Sequence, residues 1–269
     1  MALLVTELRV LEYFIQRIKD EKQRQPRVLA LGYPTFLALP EYFTELGISV
    51  DWRGVKQLAN SAGTWQGHGW HDVADQPMLE TRSLFENLGC EFVAVDAITW
   101  GGEDFILDLN LPIDEATLTA LGKFDLILDP GTVEHCFNVA QVFHSIDQLL
   151  DEGGFVFHQV AVAFPNHGHW NMSPIALFAF YHHRQYALGQ PYVWSGSLYP
   201  RIPVFHRIHP GGLFTGYPAP LIGALSFRKT VHQTTDCGFP SLQGIQSVIN
   251  ELPLEDWCRT ALPATHCVD

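Results

Sequence analysis

Asp129, Gly131, Thr132, Glu134 and His135 crowd one short stretch, DPGTVEH, directly after the apolar run FDLIL. Two more carboxylates, Asp96 and Asp108, stand at or just beyond the ends of earlier apolar runs, EFVAVD and DFIL. A carboxylate at a strand end can accept hydrogen bonds from ribose hydroxyls or an exocyclic amine, as a nucleoside ligand requires. A single Asp there more often caps a turn or helix. Three in succession favour a ligand as much as a cap. His135 brings an imidazole that titrates near neutral pH and so can act as a base. His167 and His169 form an H-x-H pair after the later apolar run FVFHQV. Two imidazoles on one strand face suit a metal, but no third ligand stands at a diagnostic spacing and His68 and His71 fall in a separate loop. No metal is assigned.

The elements that must carry these groups alternate. Leu4, Leu8, Leu11, Ile15 and Ile18 recur at three- and four-residue steps and predict a helix over about 3–24, stopped by Pro26. RVLAL (27–31) reads as the first central strand, with a helix following through Tyr42 and Leu46. Residues 91–96, 104–107, 124–129 and 155–161 read as further strands, and 138–154 as a block of helical spacing that ends in the Gly153-Gly154 stop. Met78–Leu88 has helical spacing, closed by Gly89. This β-α-β order predicts a doubly wound, mostly parallel sheet, whose ligand site lies at the carboxyl ends of the strands. Ser173-Pro174 marks a helix start, running to about Tyr186. Residues 189–219 are expected to be irregular or short-stranded, and 221–230 to form a late strand, plausibly on an antiparallel edge.

Composition narrows the partners. Sixteen Lys and Arg against twenty-nine Asp and Glu leave a net charge of −13, which opposes a nucleic-acid backbone as a general partner. Five cysteines without a C-x-x-C pair form no disulfide framework and suit a reducing cytoplasm. No run approaches the ~18 apolar residues of a membrane span, so neither nucleic acid nor membrane is expected.

The order of these blocks resembles the class I S-adenosylmethionine-dependent methyltransferases, in the branch that carries DLN-P, GTLEHVFN and NHG-F-FSP. The matching residues are Asp108–Pro112, Gly131–Asn138 and Asn166–Pro174. The resemblance spans roughly residues 27–187 and is most specific over 104–174. It implies a Rossmann-like α/β domain over 1–269. Its parts would be an N-terminal helix (1–25), the core (27–164), an aromatic-rich cap forming the acceptor region (165–220), and final strands with a tail (221–269). It further implies S-adenosylmethionine as cofactor, with Asp96 on the ribose, Asp108 toward the adenine, and Gly32, Asp129, Pro130, Gly131 and Thr132 around the methionine portion. The acceptor would be a small molecule methylated on a hydroxyl, with His167, and His135 as second choice, contacting or deprotonating it; a homodimer is left open. Alternatives from the same fold are a non-methylating cyclisation or rearrangement, and a non-catalytic homologue.

Two departures stand out. The first loop, Leu31-Gly32-Tyr33-Pro34-Thr35-Phe36, keeps one glycine of the usual D/E-x-G-x-G-x-G, so Tyr33 and Pro34 could crowd the amino-acid end. An E-x-x-E-H segment binds a divalent cation in some quinone-pathway relatives, but here Gly131 replaces its first acid. Gly63–Asp72 and 189–219 are expected to form a mobile lid. Trp65, Trp70, Trp170, Tyr181, Tyr192 and Trp194 could line the acceptor pocket, although core packing is the simpler role of each taken singly.

Overall fold

A computed structural model describes residues 2–58, 61–99, 101–195, 201–209, 219–230, 249 and 251–269. Strands β1 (Ala2–Leu4), β2 (Arg27–Leu31), β3 (Thr35–Leu37), β4 (Gln57–Leu58), β5 (Met78–Leu79), β6 (Glu91–Asp96), β7 (Phe105–Ile106), β8 (Phe124–Asp129) and β9 (Leu150–Ala163) come first. Strands β10 (Ala187–Gly189), β11 (Tyr192–Ser195), β12 (Phe205–Arg207), β13 (Leu221–Arg228), β14 (Leu254–Glu255) and β15 (Cys267–Val268) follow. The helices are α1 (Val5–Lys22), α2 (Pro40–Glu45), α3 (Ala62–Gly67), α4 (Thr81–Asn87), α5 (Glu115–Leu121), α6 (Val139–Leu149), α7 (Pro174–His183) and α8 (Trp257–Ala261).

The main sheet runs β15-β12-β11-β13-β9-β8-β2-β6-β7 among the described residues, with β10 and β14 attached beside β13. The block β9-β8-β2-β6-β7 is parallel. From β2 the chain winds one way to β6 and β7, then returns to β8 and winds the other way to β9. Because crossovers keep one hand, that reversal puts helices on opposite faces. Val28, Ala30, Leu126 and Leu128 pack with α1, α3 and α4 in one core, while Leu29, Leu31, Ile127 and Val156 pack with α6 and α7 in the other. Strands covered on both faces need unbroken apolar runs, which is why RVLAL and FDLIL were readable. This is a doubly wound, Rossmann-like α/β fold.

Helix α1 lies on the sheet through the predicted apolar stripe. Phe14 stacks on Phe155 at 4.8 Å and stands 6.4 Å from Trp257 of α8. At its amino end the Glu7 carboxylate accepts the Leu4 N–H at 3.1 Å. Just past its other end, Arg24 grips the buried Asp125 of β8 with two bonds of 2.7 Å, while Lys22 takes the same carboxylate at 2.7 Å. The amino edge of the sheet is thereby held, leaving the carboxyl edge for ligands.

Several expectations are corrected. Met78–Leu88 is not one helix: Met78 and Leu79 pair with β4, and α4 begins only at Thr81, where the Glu80 side chain accepts the Arg82 and Ser83 N–H groups. The late strand β13 is no edge; it lies antiparallel between β9 and β11. Within 165–220, β10, β11 and β12 extend the sheet rather than capping it, and Tyr192 and Trp194 belong to the core. Trp65 stacks on Trp70 at 5.1 Å, and both are buried, so these two aromatics of the expected lid segment belong to the core. The rest of the lid expectation, at 196–200 and 210–218, lies outside the described residues. Cys258 and Cys267 are joined by a disulfide, because the β12–β15 pairing brings the chain end back beneath α8; the cysteines therefore do not argue for a reducing compartment. No described helix is long and apolar enough to cross a membrane.

Burial pushes the Glu7 carboxyl up to about 7 from its ordinary 4.5. Between those values the unfolded chain sheds the proton and the folded chain keeps it, so stability falls as pH rises through that window. Glu7→Gln keeps an acceptor for the Leu4 N–H and removes the titration. Its urea midpoint, relative to wild type, is expected to climb from pH 4.5 to pH 7. A difference that does not change with pH would mean that Glu7 titrates as an ordinary carboxyl.

Candidate active site

The winding reversal between β2 and β8 opens a crevice at their carboxyl ends, the usual ligand position in such sheets. A cavity of about 290 Å³ lies beside it, lined by Gly32, Asp96, Asp108, Thr132, His135, Cys136 and the apolar Val95, Ala97, Leu107 and Leu109. Five of the nine residues expected from the sequence therefore line one cavity: Gly32, Asp96, Asp108, Thr132 and His135. Asp129, Pro130, Gly131 and His167 are not on its wall.

Each lining residue is placed by the strand it ends. Gly32 follows β2 with φ at 79°, where a side chain would be strained, and its N–H donates to Val95 O at 2.6 Å. Asp96 ends β6. Its Oδ1 faces the Ile98 N–H at 3.4 Å, and its Oδ2 is buried without a hydrogen-bond partner among the described residues. A buried carboxylate oxygen left unpaired is costly unless a ligand completes it. Asp108 is exposed, and its Oδ1 accepts Asn110 N at 2.9 Å and Nδ2 at 2.8 Å, fixing a turn. Asn110 Oδ1 in turn accepts the N–H of Asn138, the cap of α6, at 2.9 Å. Tyr33 is not on the cavity wall. Its ring packs edge-on to Phe92 and its hydroxyl bonds Glu80, away from the cavity.

Asp129 serves the loop. Oδ1 accepts the Thr132 and Val133 N–H groups at 2.8 and 3.2 Å, and Oδ2 meets His158 Nδ1 at 2.7 Å. His158 Nε2 continues to the Tyr181 hydroxyl at 2.7 Å, and all three side chains are fully buried. The Thr132 hydroxyl bonds Leu31 O, tying the loop to β2. Sequence reasoning missed His158, and offered Tyr181 only as an acceptor-pocket aromatic. The only signal was the polar pair His158-Gln159 in the otherwise apolar run FVFHQVAV, since a polar side chain in a doubly covered strand must find a buried partner.

The next turn buries Glu134. Its Oε1 accepts the Ala161 N–H at 3.1 Å, and its Oε2 has no partner among the described residues. Burial, and then the charge of Asp129, push its carboxyl up to about 8. The Glu134 carbonyl accepts the N–H groups of His169 and Trp170 at 2.8 and 3.2 Å, which lays the Asn166-His167-Gly168 loop across it. A Cβ on Gly168 would come within 2.7 Å of that carbonyl oxygen, so the crossing requires glycine. His167 stacks on Phe164 at 4.2 Å and meets the His135 ring at 4.9 Å. Burial holds both imidazoles below their ordinary range, and for His167 the neighbouring His135 adds to it. The shift favours the neutral ring, with its free lone pair, in both. Of the six candidate acceptor-pocket aromatics only Trp170 is exposed; it gathers with Phe137 and His169 at 5.7 Å spacings from the Phe137 ring.

The field around the cavity is negative. The Cys136 thiol is pushed up to about 12 by burial and by Asp129, Asp108, Glu134 and Asp96 acting together.

No protein-family model and no curated protein matches the chain. Among solved structures it is similar to Burkholderia thailandensis 1,6-didemethyltoxoflavin-N1-methyltransferase with bound 1,6-didemethyltoxoflavin and S-adenosylhomocysteine. That pair shares 15% identity over 82% of this chain and 78% of that one, with a TM-score of 0.39. The plantazolicin methyltransferase BpumL in complex with SAH gives 8% identity over 83% and 84%, with a TM-score of 0.38. TehB from Haemophilus influenzae gives 10% over 81% and 62%, with a TM-score of 0.41. The likeness is distant, and the chemistry is carried by the chain's own residues.

Asp129→Ala removes the acceptor of two loop amides and the partner of His158. Breaking such a buried pair is expected to cost about 3–5 kcal/mol in urea denaturation. Amide hydrogen exchange over 130–137 should accelerate in the same variant. Unchanged exchange there would show that Asp129 does not hold the loop.

Proposed function

We propose that the chain is an S-adenosylmethionine-dependent methyltransferase acting on a small-molecule acceptor, at a hydroxyl. The observation that carries this reading is the buried, unpartnered Oδ2 of Asp96 in the cavity beside the winding reversal. A ribose hydroxyl donates the hydrogen bond which that oxygen lacks. Val95, Ala97, Leu107 and Leu109 supply an apolar slot of the kind an adenine ring fills, with Asp108 at its exposed rim. Gly32 and Thr132 on the cavity wall would hold the methionine portion, with the loop 129–132 behind them. Asp96 and Asp108 on the cavity wall would favour the positive sulfonium over the thioether product.

The cofactor supplies a methyl group already activated as a leaving-group partner, so the protein's task is alignment and water exclusion. His135 stands on the cavity wall, and the His167 imidazole stands beside it. Either can accept the hydroxyl proton of an acceptor, with His167 preferred for its fixed stack on Phe164. Phe137 and Trp170, exposed at the same mouth, offer an apolar surface for the acceptor's body.

Titration calorimetry with S-adenosylmethionine and S-adenosylhomocysteine tests the reading. Wild type should bind both, and Asp96→Ala should bind roughly 1.5–3 kcal/mol more weakly, the loss of a charge-assisted hydrogen bond. Equal affinity in the two proteins would remove Asp96 from the ribose. Once an acceptor is in hand, His167→Ala is expected to lose about 10²–10⁴-fold in turnover at unchanged cofactor affinity. Near-normal turnover in both His135→Ala and His167→Ala would leave alignment alone as the source of rate.

A further inference from the structure

Beside the cavity the adjacent Glu134 and His135 meet His167, which lies 32 residues further along the chain. One donor atom from each of Glu134, His135 and His167 lies within 4.8 Å of the others, and His167 Nε2 is 3.9 Å from Glu134 Oε1. The sequence pairs His167 with His169, but the fold pairs it with His135. Glu134 is 1% exposed, and its Oε2 is unpartnered among the described residues. We propose that Glu134, His135 and His167 form a binding site for one divalent transition-metal cation, open toward the cavity.

The donor set decides the class of ion. Two imidazole nitrogens and one carboxylate oxygen suit Zn²⁺, Co²⁺ or Fe²⁺, whereas Mg²⁺ prefers an all-oxygen shell with several waters. Metal–ligand distances of about 2.0–2.2 Å require the three donors to draw slightly closer than they stand. His135, exposed on the cavity wall, has the freedom to swing in. The other two donors are already held, Glu134 by the Ala161 N–H and its own carbonyl contacts, His167 by its stack on Phe164. Three protein ligands leave a coordination position free, as in sites where a metal binds a substrate oxygen. The surrounding carboxylates of Asp96, Asp108 and Asp129 add long-range attraction for a dication.

The site stands on its own geometry, and only its consequence rests on the methyltransferase reading. A cation here would bind the acceptor hydroxyl and lower its pKa, taking over the proton-removing task otherwise given to His167.

Tag-free protein stripped with a chelator and titrated with Zn²⁺, and separately Co²⁺, tests the site. One equivalent should bind per chain. His135→Ala and His167→Ala should each weaken Zn²⁺ binding by at least about tenfold, while His169→Ala should not. Because His135 is exposed, its replacement keeps the fold and the test holds even if Glu134→Gln unfolds. Absence of stoichiometric Zn²⁺ binding, or wild-type affinity in the His135→Ala/His167→Ala double variant, overturns the site; preference for Mg²⁺ over Zn²⁺ overturns the donor assignment. S-adenosylhomocysteine binding is measured on the same samples. Zn²⁺ binding without it supports the metal site and removes the cofactor reading, and the reverse result does the opposite.

Discussion

The buried carboxylate of Asp129 is the contact on which the site depends. One oxygen holds the Thr132 and Val133 amides, and the other joins His158 and, through it, Tyr181 of α7. Three elements are thereby locked to one another: the loop after β8, strand β9 and helix α7. A charge in a dry interior is tolerated only when its hydrogen-bonding capacity is used, so the loop has little freedom to adopt another shape. Glu134 is carried by that loop, and its carbonyl in turn fixes the amides of His169 and Trp170. His167 thus reaches His135 through a chain of hydrogen bonds that begins at Asp129.

Beyond the clasp the site divides into a rigid floor and an exposed mouth. The floor is β2, β6 and β8, covered on both faces and staked at the amino edge by Asp125 with Lys22 and Arg24. The mouth carries Asp108, His135, Phe137 and Trp170, all exposed. A nucleoside needs the first kind of surface, with fixed acceptors in an apolar slot. An acceptor molecule is served by the second, where side chains can adjust to its shape. The negative potential is shared by both and suits a cationic donor or a dication better than a phosphate.

Much of the floor was legible in the sequence. RVLAL, EFVAVD and FDLILD were recognisable because strands buried on both faces are mostly apolar and admit a polar residue only with a partner, as Asp125 has in Lys22 and Arg24, and β6 and β8 begin and end where those runs do. Gly32, Asp96, Asp108, Thr132 and His135 fell together because strand ends in a parallel sheet share one edge. The rest depended on contacts that no local pattern encodes. Asp129 sits where a cofactor acid was expected, but its partner His158 lies 29 residues further on, and their pairing turns the carboxylate inward. Met78 and Leu79 have helical spacing, yet β4 claims them as strand. The tract 189–219 looked irregular since its strands are only three or four residues long where described, too short to show a period. Trp65, Trp70, Tyr181, Tyr192 and Trp194 went to the core, where large aromatic area is most stabilising.

The central claim is that the cavity at the winding reversal is a nucleoside-cofactor site completed by Asp96. A crystal structure with S-adenosylhomocysteine tests it most directly. The account predicts the ribose hydroxyls on Asp96 Oδ2, at the roughly 2.5–2.7 Å of a hydroxyl on a carboxylate, with the adenine between Ala97 and Leu107–Leu109. Density for the ligand elsewhere, or in the cavity with Asp96 Oδ2 still unpaired, would contradict it.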